Sequence, residues 1–179
     1  MLGLPPQRVE LHPSHPDWPA AFVAEAVRLA EALVQAGLPP FQLEHIGSTA
    51  VPGLIAKPIL DLLGGAEDFS ALAGWVAALE KLGYTYKGEF GIPGRHLFVL
   101  GERTTHHLHL VISGGRFWRD HLAFRDALRA DPVLRESYAE LKRDLAQRHR
   151  DDRSAYSSAK GDFIAQATAR AVATISPQP

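Results

Sequence analysis

His45-Ile46-Gly47-Ser48-Thr49-Ala50-Val51-Pro52-Gly53-Leu54-Ile55-Ala56-Lys57-Pro58-Ile59-Leu60-Asp61-Leu62-Leu63 sets small residues, two hydroxyls, one lysine and one carboxylate between two apolar runs. Phe41 to Ile46 reads as a strand, and Ile59 to Leu63 as a second, more buried one. Between them, Gly47 lets the backbone approach a ligand closely, and Ser48 and Thr49 offer hydroxyl donors. If a short helix starts at Ser48, its N–H groups add to a phosphate cradle. Asp61 is the only charge in the second run. A carboxylate there is costly unless paired, hydrogen-bonded or bound to metal. Strand, Gly-Ser turn and Asp-bearing strand therefore mark the centre of a site.

Working outward, Val9 to Leu11 reads as a short strand, and Asp17 as the N-cap of a helix that tolerates Pro19 in its first turn. Phe22, Ala26, Leu29 and Leu33 give that helix its apolar stripe, Gly37 ends it, and Trp18 is expected to anchor its packing. After the central stretch, Asp68 is expected to cap a helix striped by Leu72, Val76, Leu79 and Leu82, which Gly83 stops. Tyr84 to Lys87, Arg95 to Leu100 and His106 to Ile112 read as strands. Gly88 to Gly94, with three glycines and a proline, reads as a loop, either a cover for a ligand or a long hairpin connection. Helices are expected over Trp118–Ala130, Pro132–His149 and Ser154–Thr174, with Ser176 to Pro179 as a loose tail. The alternation of helices with short strands predicts an α+β fold, a mixed β-sheet of about five strands with flanking helices, mostly on one face.

The 179 residues fit one domain, with the motifs between about residues 9 and 163. Nineteen basic against twenty acidic residues argue against nucleic acid as an electrostatically held partner. With no cysteine, disulfides and thiolate sites are excluded. The first ten residues lack the pattern of a signal peptide, and no apolar run is long enough to span a membrane, so a cytoplasmic protein is expected.

The second chemical signal is His107-Leu108-His109. Residues two apart on a strand share a face, so both imidazoles point together. Asp61 on a neighbouring strand would complete a set of two histidines and one carboxylate. The bland alternative is a polar sheet face in a protein with nine histidines. Lys57, at the start of the Asp61 strand, is a candidate point charge for a phosphate, with a solvated lysine as its bland reading. Arg95 is a candidate bidentate fork for the same group. Glu44 and His45 point to opposite faces, so at most one reaches the site. Tyr156 and Lys160 reproduce a Tyr-x-x-x-Lys spacing, but no dinucleotide turn accompanies it, and surface packing is the expected role.

The turn and the Asp strand resemble the signature of the nucleotidyltransferase superfamily, in which a Gly-Ser turn binds phosphate and the next strand carries two alternate carboxylates for divalent metal. More closely, His45 to Asp61 resembles the GrpB family, whose pattern reads H-I-G-S-T-x-V-P-G-L-x-x-K-P-I-x-D. That resemblance runs from Val9 to about Phe163 and includes Asp17-Trp18-Pro19, Gly91-Ile92-Pro93-Gly94-Arg95 and Thr105-His106-His107-Leu108-His109. It implies a nucleotidyltransferase-like fold. One position departs from the superfamily: the second carboxylate would fall at Ile59 or Leu63, and neither is acidic.

Three functions follow as expectations. The first is a metal-dependent nucleotidyl or phosphoryl transferase with Asp61, His107 and His109 as catalytic and metal residues and Gly47, Ser48, Thr49, Lys57 and Arg95 holding phosphate. Its metal would be Mg or Mn, or Zn if the two histidines and the carboxylate form the site. The second is a nucleotide- or phosphate-binding module without catalysis. Because the GrpB domain is fused to dephospho-coenzyme A kinase in some bacteria, the resemblance links this module to coenzyme A metabolism. The third is a single-metal hydrolase built on Asp61, His107 and His109. All three take a small nucleotide or phosphate ligand and no membrane partner.

Overall fold

In the computed structural model, which describes residues 2–175, the central stretch begins the sheet. Gln42–Ile46 (β1) and Leu60–Ala66 (β2) pair antiparallel, with Ile46 opposite Asp61 and Glu44 opposite Leu63. The strand β2 continues past the apolar run through Gly64 and Gly65. A Cβ at Gly65 would come within 2.6 Å of the Trp118 ring, so close packing requires glycine there. Tyr84–Tyr86 (β3), His96–Leu100 (β4) and His106–Ile112 (β5) complete five strands in the order β1-β2-β5-β4-β3. Only β2 and β5 pair parallel, which puts Asp61 beside His107 and Leu63 beside His109. The chain needs a long crossover to achieve this, and β3 and β4 travel within it.

Side-chain alternation divides the sheet into two faces. Leu60, Leu62, Phe98, Leu108 and Leu110 pack with Leu29 and Leu33 of Asp17–Gln35 (α1) and with Trp75 and Leu79 of Leu72–Lys81 (α2). Trp18 is buried in the same cluster, the anchoring role its position suggested. On the other face, Ile46, Leu63 and Val111 pack against Trp118 of Arg116–Ala130 (α3). Helices therefore cover both faces rather than mostly one. The site strands present Asp61, His107 and His109 to the α3 face, which is where Pro132–Arg148 (α4), Arg153–Ser158 (α5) and Gly161–Ile175 (α6) also gather.

Other expectations are corrected in detail. Asp17 is the first helical residue and Pro16 holds the N-cap position without a side-chain bond. Asp68 accepts from the Ser70 N–H in a turn, and α2 begins only after Ala71. The helix expected over Ser154–Thr174 is two helices, broken at Ala159 and Lys160. Val9 to Leu11 forms no strand; the N-terminal segment makes isolated bridges at Leu4–Thr104 and His12–Ala56. Val9 instead packs with Leu145 and Tyr156. The tail Ser176 to Pro179 lies outside the described residues.

Candidate functional site

The parallel register brings Asp61, His107 and His109 together. His107 Nδ1 lies 2.9 Å and His109 Nε2 3.8 Å from the same Asp61 oxygen. One nitrogen or oxygen from each of the three lies within 4.8 Å of the others. Burial alone would push the Asp61 carboxyl up, but hydrogen bonds and charge from His107 and His109 win and hold it well below the usual carboxylate range. Burial pushes His109 down to about 4 against the pull of Asp61. At neutral pH the set is thus an ionised carboxylate with a neutral His109 imidazole, forms that bind metal. The His109 Nδ1 is buried without a partner among the described residues. Two atoms each about 2.1 Å from one ion sit no more than about 4.2 Å apart, and both spacings to Asp61 meet that limit.

Gly47 is where the turn meets this cluster. Its φ of 69° and ψ of −174° lie in a region essentially closed to residues with a Cβ, and a Cβ would fall on the Asp61 carboxylate. Ser48–Ala50 then makes one 3₁₀ turn, a short helix starting at Ser48. Two arginines of α3, unremarked in the sequence, fasten it. Arg129 donates to the Ala50 carbonyl at 2.8 and 3.0 Å, while Arg125 donates to the His45 carbonyl and to Glu44. Thr49 pairs its hydroxyl with His45 Nε2 at 3.0 Å, and the His45 ring stacks on Phe22. Thr49 and His45 therefore brace the turn. Glu44 lies on the α3 face, where Arg125 neutralises it.

The least expected feature is a set of lysines. Lys142 of α4 is 1% exposed and donates to Ser48 Oγ at 3.0 Å and to the Ile55 carbonyl. Lys57 and Lys160 lie 5.4 and 4.3 Å from the centroid of the Tyr156 ring, itself buried. All three lysines line one cleft of about 420 Å³ with Ser48, Asp61, His107 and His109. Burial pushes Lys142 down to about 6, with Lys160 and Lys57 adding repulsion. Burial also lowers Lys160 to about 7 and Lys57 to about 8, each partly offset by Asp61. Three lysines share the cleft with one carboxylate, too little negative charge to keep all three protonated at neutral pH.

Two sequence readings change here. Tyr156 on α5 and Lys160 in the break that follows it do not serve surface packing: both line the cleft. Arg95 does not. Its guanidinium is buried and donates to the Glu89 and Phe90 carbonyls at 3.0 and 2.9 Å, holding the glycine loop. That loop reaches the cleft through Ile92. Lys142, Arg125 and Arg129 had no motif to announce them. On a helix, a lysine or arginine among other charges reads as a solvated face, and only burial distinguishes it.

Comparison with known proteins bears on the family and the fold. The sequence profile of the family described as "GrpB protein" matches residues 8–170. UPF0157 protein PA4798 of Pseudomonas aeruginosa is 40% identical over 93% of this chain and 69% of its own length. UPF0157 protein YqkA of Bacillus subtilis is 37% identical over 89% of this chain, which spans only 46% of that relative. A dephospho-CoA kinase of Mycolicibacterium paratuberculosis is 29% identical over 91% of this chain and 46% of its length. Among solved structures, the conserved protein GrpB from Enterococcus faecalis superposes with a TM-score of 0.84 at 35% identity, covering 93% of this chain and 99% of that one. The Cid1 poly(U) polymerase bound to MgATP superposes with a TM-score of 0.55 at 14% identity, covering 76% of this chain and 44% of that one. The latter likeness shows a distant nucleotidyltransferase-like fold.

Proposed function

The chain belongs to the GrpB family, and from that premise we propose that it binds the phosphates of a nucleotide in its lysine-lined cleft and acts as a metal-dependent nucleotidyltransferase. One observation carries the reading: Lys57, Lys142, Lys160 and Ser48 share a single cleft with Asp61, His107 and His109. The lysines supply the charge a phosphate chain needs, and their lowered pKa values return upward when an anion arrives. Ser48, already held by Lys142, presents its hydroxyl and the first N–H groups of the 3₁₀ turn. Gly47 keeps the backbone close to Asp61. Asp61, His107 and His109 are the residues that would hold a divalent ion, which when bound would stabilise charge developing on a phosphoryl oxygen. With two imidazoles to one carboxylate, this donor set suits Zn or Mn better than Mg, which prefers oxygen.

A specific observation favours a second reading, a phosphate-binding module without catalysis. Ile59 and Leu63, two residues to either side of Asp61, are both buried apolar side chains, so β2 presents one carboxylate. Two-metal phosphoryl transfer needs more ligands than that. A relative named dephospho-CoA kinase supports coenzyme A metabolism as its setting. The same two-histidine, one-carboxylate set supports the single-metal hydrolase. Melting measured with nucleoside mono-, di- and triphosphates, alone and with Mg, Mn or Zn, separates these readings when paired with an assay for released phosphate and pyrophosphate. A bound nucleotide at one hundred times its Kd should add about 2.7 kcal/mol. Pyrophosphate release with an acceptor supports the transferase, and phosphate release in water alone supports the hydrolase. Stabilisation without turnover leaves the binding module. Absence of any shift removes the phosphate cleft.

A further inference from the structure

A second and larger hollow, of about 960 Å³, lies between α3 and α6. His121, Phe124 and Ile164 line both it and the lysine cleft, so the two are neighbouring chambers with one shared wall. From that wall the groove runs eight residues along each helix, from Phe124 to Arg116 on α3 and from Ile164 to Val172 on α6. Eight residues of helix span about 12 Å. Its sides are mostly carbon, from Trp118, Leu122, Phe124, Ile164, Ala169 and Val172. Val172 remains 37% exposed, and nothing in the chain closes over the groove among the described residues. The exposed Arg116 and Arg119 stand at the far mouth, keeping that end polar.

We propose that this groove receives an extended, uncharged and largely apolar arm, about 12 Å long, of the same ligand whose phosphate lies on Lys57, Lys142 and Lys160. The idea rests on the phosphate reading of the cleft and narrows it to organophosphates that carry a long, largely uncharged chain. Charge separates the chambers: cations gather around the phosphate end, carbon lines the passage beyond the shared wall, and a polar rim meets the chain's end. A nucleotide without an arm would leave the second chamber open. A free fatty chain finds no counterpart for the lysines. A ligand with both parts matches both.

Two probes that share one nucleotide head and differ by the arm test this: ADP and dephospho-coenzyme A, titrated calorimetrically. The wild type should bind the armed probe at least tenfold more tightly. Ala169→Trp, at an exposed position in the middle of the groove, should erase that difference and leave ADP affinity unchanged. Ala165→Trp, also exposed, repeats the test nearer the shared wall, and melting curves verify that each variant folds. Equal affinity for the two probes in the wild type overturns the proposal while leaving the phosphate cleft intact. So does a difference that survives both tryptophans. Failure of ADP, pyrophosphate and dephospho-coenzyme A alike to bind overturns the phosphate reading and the groove together.

Discussion

Asp61 is the residue on which both halves of the cleft depend, because it faces His107 and His109 and lies under Gly47. Asp61→Asn keeps the shape and removes the charge. The expected result is a loss of divalent-metal affinity beyond the roughly 10–100-fold that follows loss of an outer partner, with little change in melting; calorimetric metal titration of both proteins reads it. Equal affinity would end the metal role. Lys142 makes the opposite kind of prediction, one about pH. Its folded pKa of about 6 lies below the ordinary lysine value. Between those two values the unfolded chain binds more protons at this site than the folded one, so Lys142 makes the unliganded protein gain stability as pH rises from about 6 towards 10. Lys142→Met should reduce the slope of that part of the melting-temperature profile, leaving the share that Lys160 and Lys57 contribute. A slope identical to wild type between pH 6 and 9 would show that Lys142 is not the desolvated group. Neither the lysine's burial nor its partner Ser48 was readable beforehand, since Leu134, Tyr138, Leu141 and Leu145 mark the helix face but not which lysine lies under it.

Among the elements, the strands were the most legible and the helix ends the least. An apolar run with one carboxylate, and a His-x-His strand of alternating faces, mark Asp61, His107 and His109 as strand residues with the two imidazoles on one face; the parallel pairing of β2 with β5 is what brings Asp61 beside them. Pattern alone does not reveal that Gly64 and Gly65 prolong β2, because glycines ordinarily punctuate a strand; here Leu110 and Phe41 crowd the space beside Gly64, and the Trp118 ring occupies the space beside Gly65. Nor does it reveal the clamp of Arg125 and Arg129 on the 3₁₀ turn, a contact spanning about eighty residues of chain. The loop from Gly88 to Gly94 shows the same limit. Its glycines allow either a cover or a long hairpin connection; it joins the antiparallel strands β3 and β4, and Arg95 ties the Glu89 and Phe90 carbonyls while Phe90 stands 70% exposed at a φ of 44°. Arg95→Ala removes both bonds, each worth about 0.5–1.5 kcal/mol. Limited proteolysis should then cut this loop faster than in the wild type. An unchanged cleavage rate would mean that the glycine turns hold themselves.

For the molecule as a whole, an N-terminal strap joins parts of the chain that are remote in sequence. Val9 donates to the Arg150 carbonyl, Arg8 pairs with Asp151, and the Val9 side chain packs beside Tyr156, which carries Lys57 and Lys160 near its ring. Val9→Ala should cost about 2 kcal/mol and weaken phosphate binding through Tyr156 without touching metal affinity. Melting and the two titrations measured together check it; an equal fall in both affinities would mean general loosening. The parallel pairing of β2 with β5 has one more consequence, in the order of synthesis. Asp61, His107 and His109 have all left the ribosome once residue 109 is clear, whereas Lys142 and Lys160 follow later. At roughly 5–20 residues per second, the 51 residues between His109 and Lys160 take about 3–10 s. During that interval a nascent chain carries Asp61, His107 and His109 without all three cleft lysines. On the proposed function, the metal ligands of each chain would be made before its phosphate cleft is complete.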